Sequence, residues 1–312
     1  MNILLTSAFK YTEEQLNKIN SLGFNITSVS DERIPLKIDV SLIDIVVCNQ
    51  LFLYNDISKF KNLKFIQLTS VGLERVPLEY TKKHNILVLN AGKTYAIPIS
   101  EWVILKILEI YKSSRKFFEQ QNSKIWEKDR TLLELTDKKV LIAGFGNIGQ
   151  EIARRLKPFG VYIVAMDKRK LKPEEENLVD KVCTPVEIDN ILKSIDILIL
   201  TLPFTAETRN IINRDRIFDM KKGSIIVNPA RGKLLDEKAL LEALDAGIIY
   251  GAALDVFQKE PLPQESPLWN MKNVIITPHN SFVSDMINKR LFELIYSNLK
   301  REITKHGCVK NM

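Results

Sequence analysis

The chain has 312 residues, 45 % of them hydrophobic and 27 % charged, the proportions of a globular protein with room for two domains and a core in each. Its net charge of +7 is scattered along helices and loops and forms no stripe with aromatics, which argues against nucleic acid as a partner and for steering of a small anion. Cys48, Cys183 and Cys308 show neither metal nor CxxC spacing, the start is too weakly apolar for a signal peptide, and no run approaches the ~18 apolar residues of a membrane span; a disulfide scaffold and a membrane protein are excluded, and a reducing cytoplasm is expected.

Residues 1 to about 95 read as a first α/β segment. Strands are expected at Asn2 to Leu5, Ile43 to Cys48, Leu63 to Leu68 and Ile86 to Leu89, with a helix over Thr12 to Leu22 opened by Thr12 and Gln15. The turn Thr69 to Glu74 ends a strand and contains a glycine, so it is either a place where backbone N–H groups meet a ligand or a plain connection. Pro98 then reads as a hinge before a long helix, Ser100 to about Gln120, whose apolar residues cover more than one stripe. Such a helix needs burial on two sides, between domains or against a partner chain.

Lys139 to Asp167 is the strongest unit. Val140 to Ala143 reads as a strand, Gly144-Phe145-Gly146-Asn147-Ile148-Gly149 as a tight turn, and Ile148, Ile152, Ala153 and Leu156 recur on one face of a helix stopped by Pro158 and Gly160. Val161 to Met166 is a second strand, ending at Asp167. In this βαβ unit Gly144 permits the turn, Gly146 lets a pyrophosphate approach, Gly149 lets helix and strand pack, and Asp167 stands where a carboxylate holds ribose hydroxyls. Asp167 repels a 2′-phosphate and favours NAD over NADP. Lys168, Arg169 and Lys170 could neutralise such a phosphate, and otherwise read as a solvated basic loop.

Beyond it, 174–177 reads as loop and Lys181 to Cys183 as a short strand, followed by a helix over Ile188 to Ser194. Asp196 to Thr201 is a continuous apolar run of the kind buried on both faces of a parallel sheet. Further strands are expected at Gly223 to Val227, Tyr250 to Leu254 and Asn273 to Ile276, and helices at Glu237 to Ala246 and Met286 to Thr304. Ligands bind beyond the carboxyl ends of parallel strands, and these ends carry Gly144, Asp167, Pro203, Arg231, Asp255 and His279, with Glu260 five residues past Asp255. Reducing a 2-oxo acid needs an anchor for its carboxylate, a donor on the ketone and a proton source. Arg231 offers the fork, His279 the proton, and Glu260 a carboxylate favouring the protonated imidazole. His84 and His306 read as solvated surface.

The glycine turn with Asp167, Asn228-Pro229-Ala230-Arg231-Gly232, Leu254-Asp255-Val256-Phe257 with Glu260-Pro261-Leu262, and Thr277-Pro278-His279 resemble, in order, the signatures of the D-isomer-specific 2-hydroxyacid dehydrogenases. The resemblance spans nearly the whole chain. It implies two Rossmann-like, flavodoxin-like α/β domains with doubly wound parallel sheets: a catalytic domain of residues 1–97 and 284–312, and an NAD domain, 98–283, inserted into it. It also implies a cleft that closes on substrate and a homodimer held partly by the helix after Pro98. By the same resemblance Arg231, Glu260 and His279 are the catalytic residues, and Val71 and Gly72 the loop whose amides take the substrate carboxylate. Asn147, Ile148, Asp167, Pro203, Thr208, Ala230 and Asp255 match cofactor contacts, Asp255 near the nicotinamide carboxamide. Glu74 stands where the family often has Asp, and Ser100-Glu101-Trp102 replaces Ala-Glu-His. Within the class, phosphoglycerate dehydrogenase and glyoxylate or hydroxypyruvate reductase are the alternatives. Outside it stands an NAD(H)-sensing, corepressor-like binding protein.

Overall fold

The structure, a computed structural model, describes residues 1–305, so the expectations for His306 and Cys308 lie outside the described residues. The chain divides into two compact units, Met1–Tyr95 with the chain from Ser284 onward, and Ala96–Val283. Among the described residues no helix is long and apolar enough to cross a membrane.

The first unit is a five-stranded parallel sheet of β1 (Asn2–Thr6), β2 (Asn25–Val29), β3 (Ile45–Cys48), β4 (Phe65–Leu68) and β5 (Leu87–Leu89), in the order β2-β1-β3-β4-β5. That is the flavodoxin-like order. The apolar runs of β1, β3 and β4 are buried because both faces are covered: Ile3, Leu5, Ile45 and Val47 join one cluster, Leu4, Val46 and Ile66 another. Fully burying each such side chain stabilises the fold by about 1.5–3 kcal/mol. Leu291, Ile295 and Leu299 of the helix Ile287–Lys305 complete the first cluster, and Asn298 Nδ2 donates to Oε1 of the buried Gln67 at 2.7 Å.

The second unit is a seven-stranded parallel sheet. Its strands are β6 (Lys139–Ala143), β7 (Tyr162–Met166), β8 (Lys181–Cys183), β9 (Ile197–Leu200), β10 (Ser224–Asn228), β11 (Ile249–Leu254) and β12 (Val274–Ile276), ordered β12-β11-β10-β9-β6-β7-β8. The chain leaves β6 through β7 and β8 toward one edge and resumes at β9 on the other side, so strand order reverses between β6 and β9, where a doubly wound sheet opens a ligand crevice. Val103, Ile107 and Tyr111 cover one face beside Val140 and Ile142; Leu141, Leu198 and Ile226 face the other cluster.

Four expectations need correction. The edge strand β2 is absent from the sequence reading, because Asn25-Ile26-Thr27-Ser28-Val29 is half exposed and does not alternate. The long helix is two, Ala96–Tyr111 and Ser114–Asn122, broken where Ser113 takes a left-handed φ of 49°. Pro98 is not a hinge ahead of that helix but a buried residue of its first turn, where no backbone donor is needed. Residues 174–177 do not form a plain loop: Pro173–Glu176 is one helical turn in which Glu175 reaches back to the Lys172 N–H.

Candidate active site

The turn after β6 is built for close backbone approach. Gly144 has φ 102°, and a β-carbon there would lie 2.8 Å from Leu202 N; one on Gly149 would overlap the Gly144 carbonyl oxygen. A β-carbon on Gly146 would meet nothing within 4 Å, so the open side of the turn lies at the N-terminus of the ten-residue helix Asn147–Leu156. Bare N–H groups and the positive helix end there fit a pyrophosphate. Asp167 follows β7, one strand over. Its Oδ2 accepts from Phe145 N at 3.2 Å and its Oδ1 from Arg169 N at 3.1 Å, which fixes an acid beside the turn. Two of the three basic residues after it are paired: Lys168 with Glu207, and Arg169, whose Nη1 lies 2.6 Å from Glu175 Oε2. Past β9, Thr208 Oγ1 donates to Pro203 O at 2.7 Å and accepts from Thr205 N at 2.8 Å, tying the Pro203 loop into a compact turn.

Arg231 leaves the end of β10 on a turn organised by buried Asn228, whose Oδ1 accepts from Ala230 N at 3.1 Å and whose Nδ2 donates to Arg231 O at 3.0 Å. Arg231 Nη1 donates to Ala230 O at 2.7 Å. Glu260 folds back from the loop after β11, where its Oε1 accepts from Phe257 N at 3.0 Å. His279 follows β12, and its Nδ1 lies 2.8 Å from Glu260 Oε2. An ionised carboxylate only accepts, so the ring donates through Nδ1–H and Nε2 is the nitrogen left to exchange a proton with a ligand. Burial pushes Glu260 upward. The hydrogen bonds from His279 and Phe257 N–H, with the charges of His279 and Arg231, outweigh it and hold the carboxyl below its usual range.

His279 adopts φ 52°, left-handed and costly for a residue with a β-carbon. The surroundings enforce it. His279 N donates to Asp255 O at 2.8 Å, and the fully buried Asp255 carboxylate takes Thr277 Oγ1 at 2.5 Å, Asn280 N at 2.8 Å and Ser281 N at 2.9 Å. The Asp255 carboxylate thus shapes the histidine turn. Asn228, Thr277 and Ser281 were not singled out from the sequence. An Asn or Asp closing a strand before a tight turn is the signal that could have found the first.

In the first unit, the loop after β4 is fastened by Tyr95 Oη to Thr69 O at 2.5 Å, Asn90 Nδ2 to Val71 O at 2.7 Å and Ser70 Oγ to Gly72 O at 3.1 Å. Among the described residues, the N–H groups of Val71 and Gly72 meet no protein acceptor, so this rigid turn holds two donors for a ligand. His84 is exposed and stacks on Tyr80 at 4.1 Å; Cys48 and Cys183 are buried free thiols.

Residues 104–281 match the model of the D-isomer specific 2-hydroxyacid dehydrogenase, NAD binding domain. The chain is 38 % identical over 222 residues to a hydroxypyruvate reductase of Thermotoga maritima, covering 70 % of this chain and 71 % of that protein. It is 35 % identical over 246 residues to a D-3-phosphoglycerate dehydrogenase of Methanocaldococcus jannaschii, covering 78 % of this chain but 46 % of the relative, less than half its length. A solved glyoxylate reductase from Paecilomyes thermophila superimposes with a TM-score of 0.86 at 25 % identity, over 98 % of this chain and 96 % of that one.

Proposed function

Since the chain belongs to the D-isomer specific 2-hydroxyacid dehydrogenases, we propose that it interconverts a small D-2-hydroxy acid and its 2-oxo acid with NAD(H). The observation that carries this reading is the His279–Glu260 pair, 2.8 Å apart, at the carboxyl edge of the same parallel sheet that holds the glycine turn. Bound nicotinamide supplies or accepts the hydride. In the reducing direction His279 Nε2 hands its proton to the carbonyl oxygen as the alkoxide develops, and in oxidation it takes that proton back. Glu260 keeps the imidazole oriented through its contact with Nδ1. Arg231 offers a charged fork to the carboxylate and the developing oxyanion. Val71 and Gly72 are assigned to the substrate carboxylate, and Asn147, Ile148, Asp167, Pro203, Thr208, Ala230 and Asp255 to the cofactor.

The working unit is proposed to be a homodimer. Trp126 is 99 % exposed and Phe118 69 %, apolar side chains on one stretch of chain that a second copy would cover. Buried free thiols at Cys48 and Cys183 support a cytoplasmic setting. The test is NADH oxidation followed with glyoxylate, hydroxypyruvate, pyruvate and, in reverse with NAD, 3-phosphoglycerate. Turnover of at least one acid is expected. Binding of NADH with no turnover of any would replace this reading with that of an NAD(H) sensor.

A further inference from the structure

Three cations follow Asp167 directly, and a basic side chain at that place would ordinarily be available to a 2′-phosphate. Arg169 is turned to another task. Its Nη1 lies 2.6 Å from Glu175 Oε2, its Nη2 3.0 Å from Glu175 Oε1, and the same Nη2 donates to Phe145 O at 3.0 Å. This is a two-point fork, the geometry in which guanidinium and carboxylate bind most firmly. Glu175 is in turn fixed from two other directions, by Gln150 Nε2 at 2.9 Å from the helix behind the glycine turn and by Lys172 N at 2.9 Å. Its side chain is 9 % exposed against 43 % for Arg169, so the carboxylate is the anchored member and the arginine the member that is held. The hydrogen bonds from Arg169, the largest cause, keep Glu175 ionised below the usual carboxylate range.

The pairing decides which charge meets the ribose. Asp167 keeps its carboxylate beside the glycine turn, with Arg169 Nε 3.7 Å from Oδ2, while the donor end of the guanidinium is spent on Glu175 and Phe145. Lys168 pairs with Glu207 at the exposed surface. A 2′-phosphate would therefore meet the acid without a guanidinium fork to receive it.

We propose that Glu175 is a positioning residue for cofactor choice: by clamping Arg169 it leaves Asp167 facing the adenosine ribose and so rejects dinucleotides phosphorylated at the 2′-oxygen. The proposal rests on the NAD(H) reading and deepens it. Glu175→Gln keeps the shape but removes the charge that holds the arginine.

The experiment is calorimetric binding of NADH, NADPH, 5′-AMP and 2′,5′-ADP to the intact protein, with no substrate present. Wild type is expected to prefer NADH. In Glu175→Gln the NADPH-to-NADH dissociation-constant ratio should fall at least about tenfold, through tighter NADPH binding, as expected for one charge-assisted hydrogen bond released to the phosphate. The 2′,5′-ADP-to-AMP ratio should move the same way, and Arg169→Gln added to it should abolish the gain. A structural role alone would weaken both dinucleotides together and leave the ratio in place, which overturns the proposal; so does a gain that survives loss of Arg169. Should Glu175→Gln not fold, Arg169→Gln alone serves. Its ratio should stay within about twofold of wild type, and a loss confined to NADPH would mean the arginine already serves a phosphate. Failure of wild type to bind either dinucleotide would reject the NAD(H) reading itself, a result separate from an unmoved ratio.

Discussion

Gly232 and Phe257 lie backbone to backbone, so close that a β-carbon on the glycine would overlap the Phe257 carbonyl. The contact ties the loop after β10, which carries Arg231, to the loop after β11, which carries Glu260. Gly232→Ala has no flexible side chain to displace, only backbone. It should cost at least about 1–3 kcal/mol of stability, and a shift of about 1 Å at Arg231 should lower kcat/KM on the order of 10²-fold. Urea midpoints and initial rates check this; a variant with both unchanged would mean the two loops are not coupled.

His279→Ala should lower kcat by at least about 10²-fold, the low end of general acid–base catalysis. Glu260→Gln should retain part of that activity, because an amide oxygen can still accept from the ring Nδ1–H and keep the imidazole oriented. The stability consequence has a definite sign. Glu260 titrates below its ordinary 4.5 in the fold, so its contribution is present above that pH and is lost as pH falls through the depressed value. Wild type and Glu260→Gln should thus differ most near pH 7 and converge in acid, as thermal melts across pH 3–7 would read.

The readability of this chain from sequence follows burial. Asp196 to Thr201 announces β9 because a strand covered on both faces must be apolar throughout, and its core residues are fully buried. Asn25–Val29 stays silent for the opposite reason: at an edge, half of its side chains meet water and the pairing with β1 rests on backbone hydrogen bonds that any sequence supplies. The glycine turn was legible because two of its glycines have no steric alternative. The break at Ser113 was not, since nothing in its side chain demands a left-handed backbone. At the site, Glu260 standing five residues past Asp255 allowed a fold-back to be expected. The job of Asp255 in holding His279 at φ 52° depends on three donors from another strand end, which no local pattern encodes.

That dependence can be probed at one atom. Asp255→Asn replaces one accepting oxygen by an NH2 group, which must face Thr277 Oγ1 and Asn280 N on one side or Ser281 N on the other. Either choice leaves a buried donor unpaired, at a cost of about 1–3 kcal/mol. The strained His279 turn should then relax and lower kcat, and, with residue 255 assigned to the cofactor, NADH should bind more weakly as well. A variant that keeps both kcat and NADH affinity would mean the carboxylate serves neither the turn nor the cofactor.

The dimer proposal makes a prediction about Trp126. The residue follows the helix Ser114–Asn122, and just past it Asp129 lies 2.9 Å from Lys116 Nζ of that helix and accepts from the Thr131 hydroxyl at 2.6 Å, tying the segment back to the helix. An exposed indole is the sort of side chain that anchors an interface, and truncating such a hot spot costs about 2 kcal/mol or more, roughly a 30-fold loss in association. Trp126→Asp should therefore convert a species of twice the chain mass to one of once the chain mass in light scattering, while circular dichroism stays native. Because the substitution touches no hydrogen bond of the fold, an unchanged mass in the variant would mean that this arm is not what joins the copies.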